Sequence, residues 1–341
     1  MMNRRKFKVV GISFVIVFLL LVLFLGINAV EKYIDMQEME DVYEEDTVLS
    51  DVELLINGNV CRYNAAVRNY LVIGTDVSGT YKDKEAVDYH GNMADVLLLV
   101  VLNRSDNNYA VLEIDRNTIM KVPMMNPDGS VNARSLMQIC TAHWFGGNPQ
   151  MSSENTVNAV SELLGGIPID GYYELNMDSI EKLNNVIGGV TVTVEGDFSQ
   201  VDPTLIEGEE ITLNDKQAYN YIHARMEVGD GTNEGRMARQ EAYIKAYLNK
   251  LMEKTEEDPK FPNEIYQKLK EVAQTNMTGN DFSRVLNRAN RGENLGTLKF
   301  EGRYEIGKLL ADGLEHQEFY INEGSYYQVM DKLFHLTPVK E

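Results

Sequence analysis

Two runs decide the fold: Val96-Leu97-Leu98-Leu99-Val100-Val101-Leu102-Asn103 and Tyr109-Ala110-Val111-Leu112-Glu113-Ile114-Asp115, joined through the polar turn Arg104-Ser105-Asp106-Asn107. Each run is apolar almost throughout and too short for a helix of ordinary length, so both read as buried strands. A polar link of this length cannot hold a crossover helix, and the strands must pair antiparallel as a hairpin. If Asn103 pairs with Asn108, counting back along the ladder puts Asp95 beside Arg116 at the open end. Upstream, Tyr70-Leu71-Val72-Ile73-Gly74-Thr75-Asp76 reads as a third buried strand, with Asp76 closing it.

Downstream the period changes. An amphipathic helix is expected from Ser152 or Ser153 to Leu164, stopped by Gly165-Gly166, and a strand at Tyr172 to Leu175. A second helix, Asp178 to Ile187, ends at Gly188-Gly189 before the β-branched strand Val190 to Val194. Asn214 can cap a helix running to about Arg225, and Asn233 another carrying Ala242, Tyr243, Ala246, Tyr247 and Leu251 on one face. Alternating strands and helices imply an α/β fold with a β-sheet layered between helices, and the hairpin makes that sheet mixed rather than all-parallel. Later helices are expected near Glu264 to Ala273, Asp281 to Ala289 and Tyr326 to Phe334.

The N-terminus bears on compartment. Arg4, Arg5, Lys6 and Lys8 precede an uncharged run from Val9 to Val30, long enough to cross about 30 Å of hydrocarbon once, with the basic end held in the cytoplasm. A cleaved signal peptide is the competing reading, with Asn28-Ala29 as a loose cleavage site. The expected organisation is a cytoplasmic tail 1–8, a transmembrane signal anchor 9–30, an acidic extracellular stalk 31–68, a main domain 69–254 and an extension 255–341 of unread role. With 32 Lys and Arg against 52 Asp and Glu, the chain carries a formal charge of −20, which argues against nucleic acid as a partner. Only Cys61 and Cys140 are present, so at most one internal disulfide is possible, and two unpaired thiols are an equal reading. No Cys/His cluster has zinc spacing.

In so acidic a chain, any anionic substrate needs a local basic site or a metal ion. His223, Arg225, Arg236, Arg239 and Gln240 make such a cluster, with Arg236 and Arg239 three apart in the first turns of a helix. Arginines there oppose the helix dipole by roughly 0.3 to 1 kcal/mol each, a penalty that a bound phosphate or diphosphate would reverse. Asp76, Asp95 and Asp115-Arg116-Asn117-Thr118 fall at strand ends, where α/β sheets bind ligands, and two carboxylates suit a hard cation such as Mg²⁺. Each element also has a plain structural reading: an aspartate cap, an Arg116 paired to Asp95 or Asp115, a satisfied helix-end His223, and His143-Trp144-Phe145 as packing or as the border of a lipid or sugar site. No Gly-x-Ser-x-Gly elbow, P-loop or GxGxxG is present.

The order of these pieces resembles the LytR-CpsA-Psr family of cell-wall glycopolymer ligases. The likeness lies in Tyr70 to Asp76, Ala94-Asp95, Ile114 to Thr118, Gly166-Ile167-Pro168-Ile169-Asp170, Leu183 to Val194, Gln217 to Arg225 and Gly235-Arg236-Met237-Ala238-Arg239-Gln240, over about residues 69 to 250. It implies transfer of a polyprenyl-diphosphate-linked polymer, of teichoic acid or capsular type, onto peptidoglycan at the outer face of a cell membrane. By the same resemblance Asp76 and Asp95 would hold Mg²⁺ (or Mn²⁺), Arg116, Arg225, Arg236 or Arg239 and Gln240 would grip the diphosphate, and the lipid would lie between sheet and helices. Asp76, Asp95 and Arg116 are then the expected catalytic group, with Asn117 and His223 as further candidates. The chain departs from the family at Met93, Asn117 and His223, where Arg, Asp and Arg are usual. A non-catalytic scaffold that binds the same lipid and a lipid-diphosphate pyrophosphatase are the alternative readings. Arg116→Ala is expected to abolish polyprenyl-diphosphate binding or turnover at little cost to folding.

Overall fold

The computed structural model describes residues 52–338 except 57–58, 65, 76–90, 127, 225, 230, 232, 259–260, 311, 313 and 335. The expected membrane anchor and most of the acidic stalk lie outside the described residues, among which no helix is long and apolar enough to cross a membrane.

The centre is a six-stranded mixed sheet. Its strands are β3 (Val67–Thr75), β4 (Ala94–Asn103), β5 (Tyr109–Ile114), β8 (Gly171–Leu175), β11 (Ala273–Thr275) and β12 (Asn294–Lys299), in the order β11-β8-β3-β4-β5-β12. The hairpin pairs antiparallel, Leu102 with Tyr109 through Leu97 with Ile114, and the Asn103 amide donates to the Asn108 carbonyl at 2.9 Å. That is the register counted from the sequence. β3 runs antiparallel to β4 but parallel to β8, which makes the sheet mixed. The two outermost strands, β11 and β12, both come from beyond residue 254, so the C-terminal extension completes the sheet rather than standing apart from it.

Near-continuous apolar strands mean that both faces of the sheet are covered. Along β4, Val96, Leu98, Val100 and Leu102 point into one core, packed under α2 (Ser179–Val186), α3 (Asp215–His223), α4 (Asn233–Glu257), α5 (Phe261–Leu269) and α6 (Gly279–Arg291). Leu97, Leu99 and Val101 point into the other, under a 3₁₀ turn (Ile139–Phe145), α1 (Pro149–Leu163) and α7 (Glu323–Phe334). The period of two therefore splits one apolar run between two cores, and truncating any of these leucines would cost about 2–5 kcal/mol.

Local signals set the helix ends. Asn214 and Gln217 form a capping box at the start of α3, and Gly188 and Gly189 follow α2 with positive φ. α1 begins three residues before the expected start, because Asn148 caps it by accepting from the Met151 amide and Pro149 occupies the first turn. A further hairpin, β6 (Ile119–Met125) with β7 (Val131–Gln138), goes beyond the expected elements, because its strands are too exposed and mixed to show a clean alternation. Cys61 and Cys140 are both free and buried, Cys61 in β2 (Asn59–Tyr63) and Cys140 in the 3₁₀ turn.

Candidate active site

Asp95 is the second residue of β4 and Arg116 lies two residues past β5, so the hairpin register alone brings them together. Arg116 Nη1 is 3.1 Å from Asp95 Oδ1. The carboxylate side chain is only 4% exposed and the guanidinium 17%, which leaves the arginine at the mouth and the aspartate behind it. Two sulfur atoms lie beside it: Met93 Sδ is 2.6 Å and Cys140 Sγ 3.6 Å from Nη2. Burial pushes the Cys140 thiol above its ordinary range, and the nearby Arg116 charge opposes that shift without cancelling it.

The turn that carries Arg116 is pinned from within. The Asn117 amide donates to Asp115 Oδ1 at 2.8 Å, and the Thr118 hydroxyl and amide donate to the Asp115 carbonyl. It is also pinned by the C-terminal extension. β13 (Gly302–Gly307) and β14 (His316–Ile321) form a hairpin; the Phe319 amide donates to the Asn117 carbonyl at 2.9 Å and Tyr304 donates its hydroxyl to Asp115. Burial first and that carboxylate second raise the Tyr304 phenol, so it stays a donor at neutral pH. This support is not legible in the sequence, because Tyr304 and Asp115 lie 189 residues apart and the hairpin strands carry only ordinary strand composition.

The α3–α4 junction is arranged differently. Arg239 is 3% exposed; its Nε donates to the Tyr221 carbonyl at 3.1 Å and its Nη2 to the Ala224 carbonyl at 2.6 Å. Its guanidinium also lies 5.3 Å from the centre of the Phe198 ring. It therefore closes the C-terminal end of α3, an inward role where the sequence suggested a ligand contact. Arg236 is partly buried one turn earlier in α4. His223 ends α3, exposed and stacked on Tyr219 with ring centres 5.0 Å apart. Asp76 and Arg225 lie outside the described residues, as does the side chain of Gln240.

For a cation, the described residues supply Asp95 and Asp115 at this end of the sheet, Asp115 already holding the Asn117 amide and the Tyr304 hydroxyl, and among them no group of three His, Cys, Asp or Glu side chains could hold a metal ion. The pair Asp76 and Asp95 includes Asp76, which lies outside the described residues.

A model of the LytR_cpsA_psr family matches residues 28–334. The polyisoprenyl-teichoic acid–peptidoglycan teichoic acid transferase TagU of Halalkalibacterium halodurans is 30% identical over 162 residues, 47% of this chain and 48% of that protein. TagU of Bacillus subtilis is 30% identical over 46% of each chain. The chain thus spans about half the length of these two relatives, whereas the match to Enterococcus faecalis TagU, at 23% identity, covers 97% of this chain and 94% of the other. Among solved structures, Bacillus subtilis TagV has the same fold with a TM-score of 0.53 at 21% identity, over 78% of this chain and 95% of that one. A Streptococcus agalactiae protein gives 0.56 at 20% identity, over 78% and 86%.

Proposed function

The chain belongs to the LytR-CpsA-Psr family, and from that premise we propose that it is a membrane-anchored phosphotransferase moving a glycopolymer from a polyprenyl diphosphate carrier to peptidoglycan. The observation that carries the reading is the Arg116 guanidinium, held at the open end of the β4–β5 hairpin by a buried aspartate and a doubly braced turn. Relatives named as teichoic acid transferases support the reaction class.

In this reaction a hydroxyl of the acceptor sugar attacks the polymer-side phosphorus of the diphosphate. The new phosphorus–oxygen bond makes the phosphodiester, the bond to the bridging oxygen breaks, and polyprenyl phosphate leaves with that electron pair. Negative charge grows on the leaving phosphate. A fixed guanidinium stabilises that charge more than it does the ground state, which is the useful form of electrostatic catalysis. Asp95 holds Arg116 in place, and Arg225 and Arg236 add positive charge for the rest of the diphosphate. The hydroxyl proton passes to a carboxylate at this end of the sheet, Asp95 or Asp76. Mg²⁺, held by Asp76 and Asp95, would neutralise diphosphate charge when bound. Anchoring by residues 9–30 would keep the site beside its lipid-linked donor outside the cell.

One observation favours a second reading, a scaffold that binds the lipid-linked polymer without transfer: Met93 Sδ lies 2.6 Å from Arg116 Nη2, on the guanidinium that would meet the diphosphate. The test is incubation of the full chain with a short-chain polyprenyl-diphosphate sugar and peptidoglycan fragments, with and without Mg²⁺. A Mg²⁺-dependent phosphodiester product is expected; tight binding without product would leave the scaffold, and a sugar phosphomonoester in place of the phosphodiester would make water the acceptor.

A further inference from the structure

A second pair of buried ionisable groups lies one 3₁₀ turn from Cys140, the neighbour of Arg116, and takes no part in the chemistry above. Glu174, in the central strand β8, is fully buried between Ile73 of β3 and Gln274 of β11. His143, 2% exposed, has Nε2 3.0 Å from Glu174 Oε2, and the Ser153 hydroxyl donates to the same oxygen. Its Nδ1 lies 2.7 Å from the Asn92 carbonyl oxygen. A carbonyl only accepts, so Nδ1 must carry hydrogen, and one proton lies between Nε2 and Glu174 whichever partner owns it. Glu174 thereby fixes the form of the ring that can hold Asn92.

Asn92 is where this pair meets the site. It precedes Met93, whose sulfur touches Arg116, and lies three residues before Asp95. The chain here rests directly on the 3₁₀ turn: a Cβ on Gly91 would fall 2.0 Å from the His143 carbonyl oxygen and 2.9 Å from Ser152 Oγ. Residues three apart eclipse in a 3₁₀ helix, so His143 and Cys140 share a face of that turn, one reaching Asn92 and the other Arg116. We propose that His143, with Glu174 behind it, is the positioning residue of the site, holding Asn92 and Met93 so that Asp95 and the sulfurs meet Arg116. This rests on the reading of Asp95 and Arg116 given under Proposed function.

The test uses the full chain in detergent and reads two things. N-ethylmaleimide labelling, resolved by mass spectrometry, compares Cys140, in the 3₁₀ turn beside Arg116, with Cys61, in β2 of a separate three-stranded sheet; transfer kinetics supply kcat and KM separately. In Glu174→Leu and His143→Asn, Cys140 should label at least about tenfold faster while Cys61 keeps its rate, because the opening is local. kcat should fall by about tenfold or more with KM little changed, as for a lost transition-state alignment. Glu174→Gln, which can still meet Nε2 and keep hydrogen on Nδ1, should restore both towards wild type. The proposal is overturned if Cys140 stays protected in either folded variant, if both thiols open together, or if Glu174→Gln behaves like Glu174→Leu. A variant too unstable to purify would show equal labelling of both thiols in membranes, and so counts against it. Absence of transfer in the wild type would defeat the functional reading, while the labelling still decides the positioning role.

Discussion

The open end of the β4–β5 hairpin and the junction between α3 and α4 each set an arginine against the end of an element, and the two arginines do opposite work. Arg116 faces outward from a buried carboxylate and keeps part of its surface at the mouth. Arg239 faces inward, giving its donors to the last carbonyls of α3 and its flat face to Phe198. Sequence spacing treats the two alike. What separates them is the constraint that fixes direction: in a hairpin, register dictates which residues meet, whereas a helix position tells which residues share a face and not what that face packs against.

The largest effect is expected where the outward arginine is removed outright. Arg116→Ala leaves Asp95 as a buried carboxylate without its cation, a loss of about 3–5 kcal/mol. This departs from the sequence expectation of little folding cost, and its reason is the 4% exposure of the Asp95 side chain. Urea unfolding of Arg116→Ala, Asp95→Ala and the double variant should show the double recovering part of the loss. Additive losses would mean that the two side chains do not depend on one another.

Arg239→Ala should cost about 2–3 kcal/mol by stranding the Tyr221 and Ala224 carbonyls. Thermal unfolding should show this loss while transfer measured well below the melting temperature stays within a few-fold of wild type; transfer lost with the fold intact would make Arg239 a ligand contact after all.

A smaller effect is expected at Cys140. Burial raises its thiol, so the stability it contributes is complete below about pH 8.5, the ordinary thiol value, and is lost as pH rises through the raised one. The stability difference between wild type and Cys140→Ala should therefore shrink at alkaline pH, by less than about 1.4 kcal/mol per pH unit. A difference constant with pH would place the thiol in an environment unlike the one beside Arg116.

Legibility followed the same division. Tyr70 to Thr75, the hairpin, the Asn214 cap and the Gly188-Gly189 stop were all readable, because each rests on a short-range rule: strand periodicity, turn length, a capping side chain, a positive φ. The Asp95–Arg116 pair was readable because it is one consequence of that register. The His143–Glu174 contact was not, although a carboxylate inside the otherwise apolar Tyr172-Tyr173-Glu174-Leu175 was a sign that some partner had to exist. Nor was the brace of Tyr304 and Phe319 on the Arg116 turn, since contacts between segments so far apart in sequence are decided by how the finished sheet is covered.

The most direct measurement is the rate of phosphodiester formation by the full chain carrying Arg116→Lys, set beside the same substitution at Arg239. Lysine keeps the charge opposite Asp95 but loses the planar fork, so transfer should fall by about 10²- to 10³-fold at Arg116 with the fold retained, and far less at Arg239. Equal losses at the two positions, or wild-type transfer with lysine at 116, would contradict the assignment of Arg116 to the diphosphate.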